Sequence, residues 1–157
     1  MNFKNILNIN VVCGANNKRK SEIIDITSNS RHNFNIYHAP KGLKGVFENT
    51  GVFVTSGGVS VLEACAAGIP CLVIATAENQ LNQIRALAQK NAALFCGEIE
   101  NISQHDVFSC FSELESDEAK NNISKIARKL IDGKGANRVC ESLLEWNENF
   151  KGIQKNV

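Results

Sequence analysis

Three absences bound this sequence before any motif is read. No charge of one sign dominates. Lys and Arg number 17 against 16 Asp and Glu, a net charge of +1, so nothing electrostatic selects nucleic acid or an anionic membrane as partner. No stretch approaches the roughly 20 apolar residues of a membrane span. The one apolar start, Ile6 to Val12, is broken by Asn8 and Asn10, which does not make a secretory signal. The expectation is a cytoplasmic chain with no transmembrane segment. No C-x-x-C pair occurs either. Cys13, Cys65, Cys71, Cys96, Cys110 and Cys140 lie far apart, without the spacing of a disulfide framework or a zinc site. No metal is expected, and the thiols read as small buried hydrophobes of a reducing compartment.

What is present is a single globular domain's worth of chain. The 157 residues are 43% apolar and 21% charged, enough for a core without covalent staples. No repeat, low-complexity tract or linker divides them. The apolar periodicity alternates between strand and helix. Strands are expected at Ile6–Cys13, Phe34–His38, Val52–Thr55, Pro70–Ala75 and Ala93–Cys96. Helices are expected at Lys18–Ser28, Lys41–Asn49, Val59–Ala67 and Asn79–Lys90. Such alternation implies βαβ units and an α/β fold, a parallel sheet of doubly buried strands between helical layers. Beyond Gly97 the pattern becomes helical, with helices over Gln104–Leu114, Glu118–Ile131 and Ala136–Phe150. Ile123, Ile126, Ala127, Leu130 and Ile131 form one apolar stripe, and Val139, Cys140, Leu143 and Leu144 another. Gly133-Lys134-Gly135 fits a helix C-cap.

The densest glycine signal is the strand–turn–helix Val52-Phe53-Val54-Thr55-Ser56-Gly57-Gly58-Val59-Ser60-Val61-Leu62-Glu63. A helix N-terminus presents unpaired N–H groups and a positive dipole end. Two glycines let an anion reach the backbone, and Ser56 or Ser60 adds a hydroxyl. In an open parallel sheet such a turn lies at the strands' carboxyl end, where ligands bind. The same glycines would serve equally for tight packing, and the stretch is neither G-x-G-x-x-G nor a P-loop. Glu63, one turn into the helix, suits either a ribose diol or a favourable charge near the N-terminus. Glu78, Asn79 and Gln80 follow the next strand; either Glu78 or Asn79 is an N-cap, or all three reach over the sheet edge to a sugar or phosphate.

Taken together, these residues resemble the C-terminal half of GT-B proteins. The shared pattern is Ser56-Gly57-Gly58-x-Ser60-x-x-Glu63-Ala64-x-x-x-Gly68-Ile69-Pro70, a strand, then Glu78-Asn79-Gln80 and an Ala-rich helix. It is similar to the UDP-sugar hydrolases of the pseudaminic acid pathway and to spore-coat polysaccharide proteins. More distantly it is similar to lipid II N-acetylglucosaminyltransferases. Gly14-Ala15-Asn16-Asn17 looks like that family's Gly-x-x-Asn turn, and Asp132-Gly133-Lys134-Gly135-Ala136-Asn137-Arg138-Val139 like its closing element. The resemblance implies a Rossmann-like domain binding UDP or a UDP-sugar, with no cofactor. It places Gly57, Gly58 and Ser60 at the diphosphate, with Ser56 beside them, and Glu63 at the ribose. Asn79 and Gln80 come near the sugar or phosphates. The loop Tyr37–Leu43, with His38, Ala39 and Leu43, lies along the base, and Gly14 and Asn16 complete the set.

Two departures stand out. Val59 replaces a small hydroxyl residue, and Glu78 stands where Asp is usual. The half that carries the family's proposed catalytic histidine has no counterpart in this sequence. His32 and His105 read as exposed surface residues, and His38 as a strand-end residue near the base loop rather than a catalytic base. The expected role is a UDP-sugar-binding domain of a hydrolase or glycosyltransferase-like protein, with a separate chain supplying the catalytic or acceptor half. A non-catalytic nucleotide-binding module is the alternative. Trp146 and Phe150, near the end of the last helix, are candidates for a docking surface, with at least one ring exposed.

Overall fold

The computed structural model describes residues 6–154, with side chains through Asn147. It divides into two compact units, one ending at Asn49 and the other beginning at Thr50, and each is described by itself.

The first unit runs β1 (Asn8–Cys13), α1 (Lys20–Ser28), β2 (Asn33–His38) and α2 (Lys44–Phe47). The strands pair in parallel, with Asn8 opposite Asn33 and Cys13 opposite His38. Side chains alternate across a strand with period two, and here one side is polar. Asn33 donates from Nδ2 to Asn8 Oδ1 at 2.9 Å, and Asn35 to Asn10 Oδ1 at 3.1 Å. The doubly buried strands expected from the sequence are therefore not found here: this pair carries an exposed amide ladder. His32 also departs from the expected surface position. It is half-buried, and its Nδ1 accepts the Leu7 N–H at 3.2 Å.

The second unit holds β3 (Phe53–Ser56), α3 (Val59–Ala67), β4 (Cys71–Ala75), a 3-10 turn (Glu78–Gln80), α4 (Leu81–Gln89) and β5 (Leu94–Glu98). Three helices follow, α5 (Gln104–Glu113), α6 (Asp117–Leu130) and α7 (Gly135–Gln154). The sheet order is β3-β4-β5, all parallel. Here the apolar run predicts burial correctly. Cys71, Leu72 and Val73 of the central strand are wholly buried, and full burial of such a side chain contributes about 1.5–3 kcal/mol. Leu72 gathers Cys96, Cys110, Leu114 and Ile123 into one cluster. Ile84 and Leu87 of α4 and Val61, Ala64 and Cys65 of α3 are likewise buried.

The helix ends follow from local chemistry. Ser103 and Asp106 close a reciprocal capping box at α5, and Ser116 Oγ accepts the Ala119 N–H at α6. Asp117 and Glu118 in the first turn of α6, with Arg128 and Lys129 in the last, complement the helix dipole. Helix α3 stops at Gly68, whose φ of +73° is a left-handed conformation. Gly68 N–H bonds Cys65 O and Ile69 N–H bonds Ala64 O, both at 2.9 Å, a Schellman closure. Helix α6 braces that stop. Ser124 Oγ donates to Gly68 O at 2.5 Å and Arg128 Nη2 to Ala67 O at 2.8 Å.

Two expectations about the helical segment are corrected. Ile131, not a glycine, occupies the C-cap of α6, and left-handed Gly133 lies two residues on. The second apolar stripe is not core: Val139, Cys140, Leu143 and Leu144 are all exposed. Trp146 is 64% exposed, in keeping with the expected open ring, while the side chain of Phe150 lies outside the described residues. His105 is on the α5 surface as expected.

Between α6 and α7 the Asp132 carboxylate receives Arg138 Nη1 at 2.7 Å, Arg138 Nη2 at 3.1 Å and the Lys134 N–H at 3.0 Å. Those bonds from Arg138, then the backbone N–H, hold its pKa down to about 2 from an ordinary 3.8. A depressed acid favours the folded turn when ionised. The contribution is therefore complete above the ordinary value of 3.8 and lost as pH falls through about 2. A carboxyl-carbon NMR titration should place the Asp132 midpoint near 2, and Arg138→Gln should move it up toward 3.8. A wild-type midpoint already at the ordinary value would contradict this reading.

Candidate functional site

Strand β3 delivers Ser56-Gly57-Gly58 to the carboxyl edge of the three-stranded sheet, and α3 starts at Val59. Gly58 holds the N-cap position with φ −81° and ψ −160°, and no side chain caps the helix. That contrasts with α5 and α6, each capped by a serine. The leading N–H groups of α3 have no intrahelical acceptor.

The loop is fixed from below by α4 and the turn before it. Gln80 Oε1 accepts the Gly57 N–H at 3.2 Å, the Thr76 N–H at 3.0 Å and the Thr76 hydroxyl at 3.2 Å. One turn on, Gln83 Nε2 donates to Gly57 O at 2.8 Å and Gly58 O at 3.2 Å. The amide orientations follow from these partners. Two backbone N–H groups can only face an oxygen, and two carbonyls can only face an NH₂. Gly57 is also pressed against α4. A Cβ built on it would lie 2.5 Å from Ile84 Cγ1 and 3.0 Å from Gln80 Cβ. Gly58 is open, with Ser56 Oγ its nearest neighbour at 3.9 Å.

The remaining candidates fall into two groups. In the second unit, Ser60 is half-buried and Glu63 exposed, three residues apart and so on one face of α3. Val59 is 72% exposed at the first position of that helix. Glu78 and Asn79 are exposed in the 3-10 turn. Neither caps a helix, since Ala77 and Gln80 take the cap positions. In the first unit, Gly14, Asn16, His38 and Ala39 sit together at the carboxyl ends of β1 and β2, all exposed. Ala39 has a φ of +46° and donates its N–H to Cys13 O at 2.8 Å. A non-glycine residue in that region is strained by about 1–2 kcal/mol. Leu43 is the N-cap of α2 and accepts the Val46 and Phe47 N–H groups.

The resemblance implies Gln80 near the sugar or phosphates; its oxygen is turned into the loop, on the N–H groups of Gly57 and Thr76. Gln83 was not anticipated at all. Its only signal in the sequence is the three-residue offset from Gln80, which puts both amides on one helix face. Among the described residues no group of three His, Cys, Asp or Glu side chains could hold a metal ion. No helix among them is long and apolar enough to cross a membrane.

Comparison with known proteins gives this geometry a context. Residues 46–132 match the family model of UDP-glucoronosyl and UDP-glucosyl transferases, more than half of the chain. The spore coat polysaccharide biosynthesis protein SpsG of Bacillus subtilis is 30% identical over 107 residues, 68% of this chain and 32% of that protein. A UDP-N-acetylglucosamine–N-acetylmuramyl-(pentapeptide) pyrophosphoryl-undecaprenol N-acetylglucosamine transferase of Listeria monocytogenes is 35% identical over 98 residues. That alignment spans 60% of this chain and 26% of the transferase. The crystal structure of Acinetobacter baumannii MurG superposes with a TM-score of 0.67 at 18% identity, over 81% of this chain and 38% of that one. The chain thus spans between about a quarter and a third of the length of these curated relatives.

The two glycines should separate on substitution. Gly57→Ala must displace Ile84 and should cost about 1–3 kcal/mol. Gly58→Ala meets open space and loses only a favourable N-cap, about 1 kcal/mol or less. Urea midpoints measure both, and equal losses at the two positions would sink the distinction.

Proposed function

The chain belongs to the UDP-glucoronosyl and UDP-glucosyl transferase family, and from that premise we propose that it binds UDP-sugars in surface polysaccharide or nonulosonic acid biosynthesis. It is a C-terminal GT-B half with spore-coat and MurG-type relatives. One observation carries the proposal: the family match spans the whole uncapped edge, from Ser56-Gly57-Gly58 through Glu63 to Gln80 and Gln83.

The binding chemistry follows from this edge. The unpaired N–H groups at the start of α3 take the diphosphate, aided by the positive end of the helix. The Ser60 hydroxyl adds a donor. The Glu63 carboxylate accepts the two ribose hydroxyls, since each oxygen can take one proton. Glu78 and Asn79 point their polar groups toward the sugar.

The reaction in this reading is substitution at the anomeric carbon. The bond from that carbon to the diphosphate oxygen breaks, UDP leaves with the electron pair, and water or an acceptor hydroxyl supplies the new oxygen. Water gives a hydrolase of the pseudaminic acid type, and a hydroxyl gives a glycosyltransferase. A separate N-terminal-type half provides the base and the acceptor side. Val139, Leu143 and Trp146 recur at helical spacing along α7 and are each at least 60% exposed, an apolar stripe suited to that contact.

Titration with UDP, followed by backbone amide NMR, should shift Gly58, Val59 and Ser60 first. Glu63→Ala should weaken UDP by about tenfold or more, the loss of a charge-assisted hydrogen bond. Unmoved amides at these three residues would remove the binding site. Turnover of a UDP-sugar only after adding the partner half supports the two-chain enzyme. Binding without turnover under the same conditions leaves a nucleotide-binding module.

A further inference from the structure

We propose that Gln83 is a positioning residue of the diphosphate edge, aiming two peptide N–H groups that it does not itself supply to the ligand. The inference rests on the nucleotide-binding reading above and deepens it. In a trans peptide the C=O and N–H point in opposite directions within one plane, and no cis peptide is present among the described residues. Gly57 O points at Gln83 Nε2, 2.8 Å away. The N–H of the same peptide, that of Gly58, therefore points away from α4. Gly58 O also lies on Gln83 Nε2, at 3.2 Å, so the Val59 N–H points away from α4 too. Gln80 acts on the preceding plane in the opposite sense. It takes the Gly57 N–H onto its own oxygen, which removes that donor from the open side.

The result is a sorted loop. One N–H is turned inward and consumed, and two are turned outward at the start of an uncapped helix. Nothing in Ser56-Gly57-Gly58 itself would enforce this. Gly58 in particular has no side chain to restrict its plane, and the space around it is open. The ordering comes from a half-buried amide 25 or 26 residues further along the chain. A donor set held in place before the ligand arrives loses less entropy on binding.

The test replaces the donor and keeps the shape. Gln83→Met retains the length of the side chain and has no N–H. In the free protein, 15N relaxation order parameters at Gly58 and Val59 should fall from the rigid range of about 0.85 to below about 0.6 as their planes are released, with buried Leu72 unchanged. UDP affinity should fall about tenfold, while uridine, which lacks the phosphates, binds as before. A purely structural role would weaken both ligands together. Gln83→Leu, neutral and without a donor, is measured the same way should the methionine variant be too unstable. Wild-type order parameters at Gly58 and Val59, or an unchanged ratio of UDP to uridine affinity, overturn the proposal. Failure of the wild-type protein to bind UDP instead overturns the nucleotide-binding reading, and the relaxation data still decide the clamp.

Discussion

The orientation of three peptide planes between Ser56 and Val59 governs the rest of this sheet edge. They are set by two glutamines one turn apart at the start of α4, and that helix is anchored by Ile84 and Leu87, both nearly inaccessible to solvent. Ile84 serves twice. It fills the core beneath the sheet edge and presses on Gly57 closely enough to exclude a Cβ. Packing and site geometry are therefore one problem here, because a shift in α4 moves the amides that hold the loop. Helix α3 is treated differently at its two ends. Its C-terminal carbonyls are satisfied by Ser124 and Arg128 of α6, while its N-terminal donors are left without a cap.

Much of the architecture was legible from residue types. The bounds of α3, Val59–Ala67, follow from punctuation at both ends, Gly57-Gly58 before and Gly68-Ile69-Pro70 after. The apolar run Cys71–Ala75 reads as a central strand and is one. Legibility fails where the deciding partner lies outside the segment. The α7 stripe has the periodicity of a core face, yet periodicity only says that a face exists, not what stands against it. The strands β1 and β2 read as apolar runs. Asn8, Asn10, Asn33 and Asn35 acquire meaning only once the parallel register sets them opposite one another. Gln83 is the sharpest case. A glutamine in an amphipathic helix ordinarily reads as a solvated residue, and only the crossover from β3 to α4 brings two glycine carbonyls to it.

The residues that carry the family resemblance also prove unequal in kind. Gly68-Ile69-Pro70 is a helix stop, required by a left-handed turn and the Arg128 side chain beside it. Asp132 and Arg138 form a brace between α6 and α7. Gly57 is a packing glycine whose N–H is already engaged. Once these are set aside, Gly58, Ser60, Glu63, Glu78 and Asn79 remain as the open part of the second unit's motif. A shared pattern can thus combine residues of the frame with residues left open to solvent.

The cysteines have a consequence of their own. Cys13, Cys65, Cys71, Cys96 and Cys110 are buried, and Cys140 alone is exposed. The bond to Cys65, and then burial, push the Cys71 thiol up, and burial, then the bond to Cys110, do the same for Cys96. Thiol reagents attack the thiolate and need access to it, so the folded chain presents one reactive sulfur. The others become visible only as their surroundings open. Cys13 lies in the unit ending at Asn49, and the four remaining buried thiols lie beyond Thr50. The order in which the sulfurs are modified is thus a clock written into the chain, recording which unit loosens first.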